Sequence, residues 1–291
     1  MGLADRHIVE QAKSRVTIES GRIVDLTEPL VKHCPLHNLM HKTKITHTKE
    51  FIQKHVENKI ASVGMFTERR LVESDVDLVP FGASEMLMCA MKHGVIDCAV
   101  LACDGAGTVL ATTPQLVQGI GGLMSGLIST TPLEAVIRRL EKAKAIVLDP
   151  EKAEIDQVSG VRKAFELRYR KVAVTFTGDN TDELSRVRET EKLCGGSLTV
   201  LAVHTTGVSP EQAEVMVKHA DLVWGCASKF VRQTVGPNSI LQIGTGIPVF
   251  AVTKRGKEIV AKRIVEINSP ILIYRSILPR TGKKSCPTPL L

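Results

Sequence analysis

Near the start of the chain, apolar positions alternate with polar ones or run together in short stretches. Arg15-Val16-Thr17-Ile18 and Arg22-Ile23-Val24-Asp25-Leu26 flank Ser20-Gly21, a pattern that predicts a β-hairpin. The segment 49–63 has a helical pattern and is stopped by Gly64. From Phe81 onward, helical and strand patterns alternate. A short helix over 84–93, closed by Gly94, is apolar nearly all round (Met86, Leu87, Met88, Cys89, Met91), which predicts burial. An apolar strand over 96–102 follows. Further strands are expected at 145–148, 172–176, 198–203, 221–225, 240–243, 248–252 and 271–274. Helices are expected at 132–143, 151–169, 182–192, 211–219, 228–235 and 257–266. Thr131-Pro132-Leu133-Glu134 and Ser209-Pro210-Glu211-Gln212 read as capping boxes with proline at the first helical position, and Asp149-Pro150-Glu151 is a close relative.

Apolar strands alternating with amphipathic helices predict an α/β fold: a mainly parallel sheet with helices on both faces, preceded by a small N-terminal β-hairpin. The expected division is an N-terminal hairpin and helix region (1–80), an α/β core (81–278) and a flexible or partner-bound tail (279–291). In such sheets, ligands bind outside the carboxyl ends of the strands.

Composition narrows the function classes. The chain has 291 residues, 43% hydrophobic and 24% charged, which suits a folded domain. Its net charge of +7 is spread among acids, as in Arg138-Arg139-Leu140-Glu141-Lys142, and aromatics make up only 3%. That argues for a solvated basic surface and against nucleic-acid binding. No signal peptide and no bilayer-length apolar run is read, so a cytoplasmic location with no membrane contact is expected. Seven cysteines at irregular spacing do not suggest a disulfide framework.

The candidate chemistry lies in the loops after the strands. Cys103-Asp104-Gly105-Ala106-Gly107-Thr108 reads either as a tight turn or as a loop whose glycines let N–H groups approach an anion, with Asp104 on a metal or hydroxyl. Gln118-Gly119-Ile120-Gly121-Gly122 is a second glycine cluster in a long connector. In His204-Thr205-Thr206-Gly207, the histidine suits acid, base or ligand roles, and the hydroxyls suit phosphate or carboxylate. Cys226-Ala227-Ser228-Lys229 places a thiol at a helix start beside a lysine, an arrangement that lowers a thiol pKa. Cys34, His37 and His41 are soft ligands at close spacing, and Cys34, Cys103 and Cys226 together could hold a metal or an iron–sulfur cluster. Glu85, Asp156 and Gln157 read either as an acid–base group or as solvent-facing positions.

Taken in order, Cys34-Pro35-Leu36, Phe81-Gly82-Ala83-Ser84-Glu85, Asp104-Gly105-Ala106-Gly107-Thr108-Val109, Val117-Gln118-Gly119-Ile120-Gly121-Gly122, Thr130-Thr131-Pro132, Leu148-Asp149-Pro150, Ile155-Asp156-Gln157, Val203-His204-Thr205-Thr206-Gly207, Cys226-Ala227-Ser228-Lys229 and Ile247-Pro248-Val249 resemble the methanogenesis marker protein 8 family of methanogenic archaea. Leu123 departs from that pattern, which carries an arginine after the paired glycines. The resemblance implies a cytoplasmic archaeal protein serving methyl-coenzyme M reductase: its assembly, modification or activation, or its nickel tetrapyrrole. Two other expectations stand beside it. One is a stand-alone enzyme on a small anionic metabolite, with Asp104, His204, Cys226 and Lys229 in one pocket. The other is a metal or iron–sulfur carrier.

Overall fold

A computed structural model describes residues 5–124, 126–273 and 286–291. In chain order the strands are β1 (Arg6–Gln11), β2 (Ser14–Glu19), β3 (Arg22–Leu26), β4 (Cys98–Cys103), β5 (Gly107–Ala111), β6 (Leu127–Thr130), β7 (Ile146–Val147), β8 (Lys171–Thr177), β9 (Ser197–Val203), β10 (Leu222–Trp224), β11 (Leu241–Ile243) and β12 (Val249–Ala251). The helices are α1 (Pro35–His41), α2 (Lys49–Val63), α3 (Ala83–Lys92), α4 (Pro114–Gly121), α5 (Glu134–Lys142), α6 (Gln157–Glu166), α7 (Asp182–Cys194), α8 (Pro210–His219), α9 (Gly236–Asn238) and α10 (Lys254–Glu266).

The main sheet has the order β11-β12-β10-β9-β8-β4-β5-β7. Its centre, β10-β9-β8-β4, is parallel. Both flanks pair antiparallel. The sheet is therefore mixed, not mainly parallel as the pattern suggested. The correction has a local cause: Asp104 to Ala106 turn the chain straight back, so β4 and β5 form a hairpin where a strand-to-helix loop was expected.

Helices do cover both faces. Along β4, Ala99, Leu101 and Cys103 face a core shared with α3, α4, α5 and α10. Cys98 and Val100 face the opposite core, built with α6, α7 and α8. This period of two is what a strand buried on both faces requires.

The N-terminal hairpin β2–β3 is present, but within a four-stranded antiparallel sheet of order β3-β2-β1-β6. β6 is contributed by the segment between α4 and α5. A third core forms between this sheet and α2, around Val9, Val16, Ile18, Ile52 and Val56.

Several local expectations change. Gly119 and Gly121 lie in α4, not in a loop. Leu133, not Thr131, is the residue before α5, and the Thr131 hydroxyl accepts from the Arg6 N–H. Asp149 closes a turn, and Asp156 caps a shorter α6. Ser209 forms the full capping box with Gln212. Ile271 to Ile273 form no strand, and Tyr274 lies outside the described residues. Of the expected tail, 279–285 lies outside them too. Thr288 exchanges backbone hydrogen bonds with His33, and Leu291 with Ala227 and Lys229. Among the described residues, no helix is long and apolar enough to cross a membrane.

One buried ion pair joins the two halves of this architecture. Arg70 Nε donates to Asp104 Oδ1 at 2.8 Å, and both side chains are essentially inaccessible. Asp104 Oδ2 accepts from the Phe66 N–H at 2.5 Å, and the other Arg70 nitrogens donate to the Leu71 and Ile120 carbonyls. Removing one partner strands a charge in the interior, which costs about 3–5 kcal/mol. Arg70→Met is expected to lower unfolding free energy in urea by that amount, and Arg70→Met with Asp104→Leu to recover most of it.

Candidate functional site

The carboxyl ends of the parallel strands open onto a cavity of about 290 Å³. Ala102 near the end of β4, Phe176 and Thr177 at the end of β8, Val203 and the following His204 at the end of β9, and Trp224 and Cys226 at and just after the end of β10 all line it. The start of α3 (Ala83 to Glu85), the end of α4 (Gly121, Gly122), Leu36 of α1 and Gln157 of α6 complete the wall. Most of this wall is apolar, so the polar groups within it stand out.

Glu85 is the most deeply set of them. It is buried, and no lysine or arginine is among its hydrogen-bond partners. Oε1 accepts from the N–H groups of Leu78 and Val79 and from Gln118 Nε2, while Oε2 accepts from the Ser84 hydroxyl. Its position in the first turn of α3 adds the favourable field of the helix N-terminus. A Cβ at Gly82 would lie 2.0 Å from Oε2, so glycine there is a condition of this placement. Gln157 is also buried. It accepts from the Thr108 hydroxyl and donates to the Thr175 carbonyl, which holds α6 against the sheet.

His204 belongs to a relay that crosses between the two sheets. Its Nε2 lies 2.7 Å from Glu10 Oε1 of β1, and Lys13 Nζ lies 3.0 Å from Glu10 Oε2. With Nε2 occupied, Nδ1 is the nitrogen left for a ligand. A Cβ on Gly126 would stand 2.5 Å from His204 Nε2, so the passing chain can only be glycine. Cys226 lies beside His204, on the adjacent strand end. Burial pushes its thiol pKa up, while N–H groups of Thr205 and His204 facing the sulfur oppose the shift only in part. Cys34 is a neighbour: burial raises its pKa, and Cys226 adds to that rise. Both are protonated thiols at neutral pH, which corrects the expectation of a lowered pKa at Cys226. His204 and Cys226 also both have positive φ, at 50° and 32°. Such non-glycine strain gathers at functional sites.

Of the candidate residues singled out in the sequence, Glu85, Gln157, His204, Cys226, Gly121 and Gly122 line the cavity, and Cys34 adjoins it. The others do not converge on it. Asp104 is taken up by Arg70 and Phe66. Gly105 and Gly107 are turn residues with positive φ; the Gly105 N–H donates to Thr130 Oγ1 and the Thr108 N–H to the Glu154 carbonyl, so this loop is a turn and not an anion cradle. Gly119 lets α4 pass against Val72, and Gln118 holds Glu85. The Thr205 hydroxyl donates to the Trp224 carbonyl, Thr206 accepts from the Ala227 N–H, and Ser228 caps the next helical turn. Lys229 is exposed, lies over the Phe230 ring and is not among the residues lining the cavity.

The metal set Cys34, Cys103 and Cys226 is not assembled. Cys103 sits in the core with its sulfur on the Asp104 carbonyl, and burial drives its pKa to about 12. His37 joins His47 at 2.9 Å and packs near His55, while the His41 side chain lies outside the described residues.

Glu10 and Trp224 were not visible from sequence as site residues, because neither belongs to a motif. Glu85 and Gln157 had a signal in their position within apolar helical segments, where solvent exposure was the competing explanation.

The family model described as "Uncharacterized protein conserved in archaea (DUF2099)" matches residues 7–265. The chain belongs to this archaeal family. It is 43% identical over 288 residues to an uncharacterized protein of Methanocaldococcus jannaschii, covering 99% of this chain and all of that relative. A solved chain from the F420-reducing nickel–iron hydrogenase complex of Methanosarcina barkeri is 13% identical, covering 68% of this chain and 75% of that one, with a TM-score of 0.35. That score is too low to establish a shared fold.

The Glu10 relay has a pH signature. Burial raises the Glu10 carboxyl, but His204 and Lys13 outweigh it and hold the pKa below its ordinary 4.5. A depressed carboxyl stabilises the fold fully above its unfolded pKa, and that contribution is lost as pH falls through the lower folded value. The thermal midpoint of the wild-type chain is therefore expected to drop more steeply below pH 4.5 than that of Glu10→Gln.

Proposed function

We propose that this chain is a methanogenesis accessory protein of the marker protein 8 group, whose cavity holds a small, largely apolar molecule or partner segment in the service of methyl-coenzyme M reductase. The observation that carries the binding role is the convergence of four parallel strand ends, Glu85 and the His204–Glu10 pair on one cavity. At about 290 Å³ the cavity is at the low end of the roughly 300–1,000 Å³ usual for ligand sites. A space of this size suits a small metabolite, a cofactor fragment or a side chain rather than a whole tetrapyrrole. The methanogenic setting is supported by the ordered motif series and by the archaeal family.

A second reading has its own support. His204 offers Nδ1 with Glu10 fixing the other nitrogen, beside the thiol of Cys226 and backbone strain at both residues. That arrangement supports acid–base chemistry on a small bound molecule.

Two measurements test the proposal. Affinity purification of the tagged chain from methanogen cells is expected to bring down methyl-coenzyme M reductase or its maturation proteins. Repeated recovery of the chain alone overturns the accessory role. Trp224, the one tryptophan of the chain, lines the cavity and reports its occupancy. Metabolites released by denaturing the purified protein, added back to unliganded chain, are expected to change Trp224 emission. Glu85→Gln is expected to weaken that response by about 10-fold, since a hydrogen bond to a charged group contributes about 1.5 kcal/mol or more. An unchanged affinity would remove Glu85 from the binding role.

A further inference from the structure

At the opposite end of α3 from the cavity, three ligand types meet. Cys89 and His93 are four residues apart at the end of α3, and so lie on one face of that helix. Glu266 is the last residue of α10. The Cys89 sulfur, a His93 ring nitrogen and a Glu266 carboxylate oxygen lie within 4.8 Å of one another, and His93 Nε2 is 2.9 Å from Glu266 Oε1. Among the described residues, no other group of three histidine, cysteine or acidic side chains has this geometry. We infer that Cys89, His93 and Glu266 form a binding site for a zinc-class divalent metal ion.

The donor set selects the metal. Sulfur, imidazole nitrogen and one carboxylate oxygen match zinc and its neighbours, whereas magnesium and calcium require oxygen donors throughout. Zinc–ligand bonds of about 2.0–2.3 Å make tetrahedral edges of roughly 3.3–3.8 Å; the three ligand atoms all lie within 4.8 Å of one another, the nitrogen–oxygen pair at 2.9 Å.

The local field points the same way. Two helices end here, so the partial negative charges of their C-termini add to the Glu266 carboxylate. Without metal, the Cys89 thiol stays protonated: burial and Glu266 push its pKa to about 12. Arg263, 3.7 Å from Glu266, and Lys92 supply some positive charge. Most of the Arg263 guanidinium, however, is engaged by Asp77 and the Pro80 carbonyl.

Metal binding forms a metal–sulfur bond and releases the Cys89 proton to solvent. Three protein ligands leave a fourth position for water or a small anion. His93 also lines a cleft with Lys171, Lys254, Arg255, Lys262 and Glu258, in which basic groups outnumber the one acid.

The test uses the full chain freed of metal by chelator and titrated with cobalt(II) or zinc. Cobalt is expected to give a near-ultraviolet sulfur-to-metal charge-transfer band that saturates at one ion per chain, and zinc to displace it and raise the thermal midpoint. Cys89→Ser is expected to abolish the band. His93→Ala and Glu266→Gln, at more exposed positions, should leave the fold intact and weaken zinc binding at least about 10–100-fold, the loss seen when even outer-shell partners are removed. Cys34→Ser and Cys226→Ser should leave the band unchanged. Absence of the band in the wild-type chain, or its persistence in Cys89→Ser with loss in Cys226→Ser, overturns the assignment.

Discussion

Arg70 and Asp104 meet where almost no water reaches, and the segment after α2, the β4–β5 turn and the end of α4 are tied to that meeting. Asp104 turns β4 back into β5. Arg70 follows the end of α2 and also holds the Ile120 carbonyl, at the point where α4 delivers Gly121 and Gly122 to the cavity wall. Burying two charges carries a large desolvation cost, which is offset only when geometry is good and the remaining hydrogen-bond capacity is filled. Here the backbone N–H of Phe66 and two carbonyls do that filling. The pair specifies where the N-terminal region sits on the α/β core at least as much as it adds stability.

That docking has a consequence at the site. β6 leaves the main body and pairs with β1, so the two sheets share a strand's worth of chain and cannot slide independently. Glu10 of β1 then reaches His204 at the end of β9. An imidazole whose far nitrogen is held by a carboxylate has a set tautomer and ring orientation. The N-terminal sheet thus fixes the ring that the core presents to the cavity.

The parts of this architecture carried by local patterns were legible in the sequence. Most helices and central strands fell where periodicity placed them, and Ser209-Pro210-Glu211-Gln212 made its capping box. The general rule about strand ends located the cavity, with His204 and Cys226 in it. The errors have physical causes. Asp104-Gly105-Ala106-Gly107 carries the same small, flexible residues whether it cradles an anion or reverses a strand. The choice depended on Thr130 and Glu154, which fill its neighbouring N–H groups from distant positions. Thr205, Thr206 and Ser228 looked like hands for a ligand, yet each is engaged by nearby backbone. Glu10 was invisible because its role exists only once two sheets meet. Glu85 was readable in principle: a carboxylate in a helix with apolar residues all round has either solvent or a built-in partner set, and only the fold shows which.

α3 connects the two chemically distinctive places in the molecule. Glu85, Cys89 and His93 follow at four-residue intervals, so one stripe of the helix runs from the cavity to the Cys–His–Glu cluster. A second connection runs beside it. Arg263, next to Glu266, holds Asp77 and the Pro80 carbonyl, while Glu85 holds the N–H groups of Leu78 and Val79 in that same loop. Val79 in turn lines the cavity. The loop is therefore gripped from both sides, by the acid of one site and by the neighbour of the other. The two sites therefore share a structural element even though about 12 Å of helix separates Glu85 from His93, at 1.5 Å per residue.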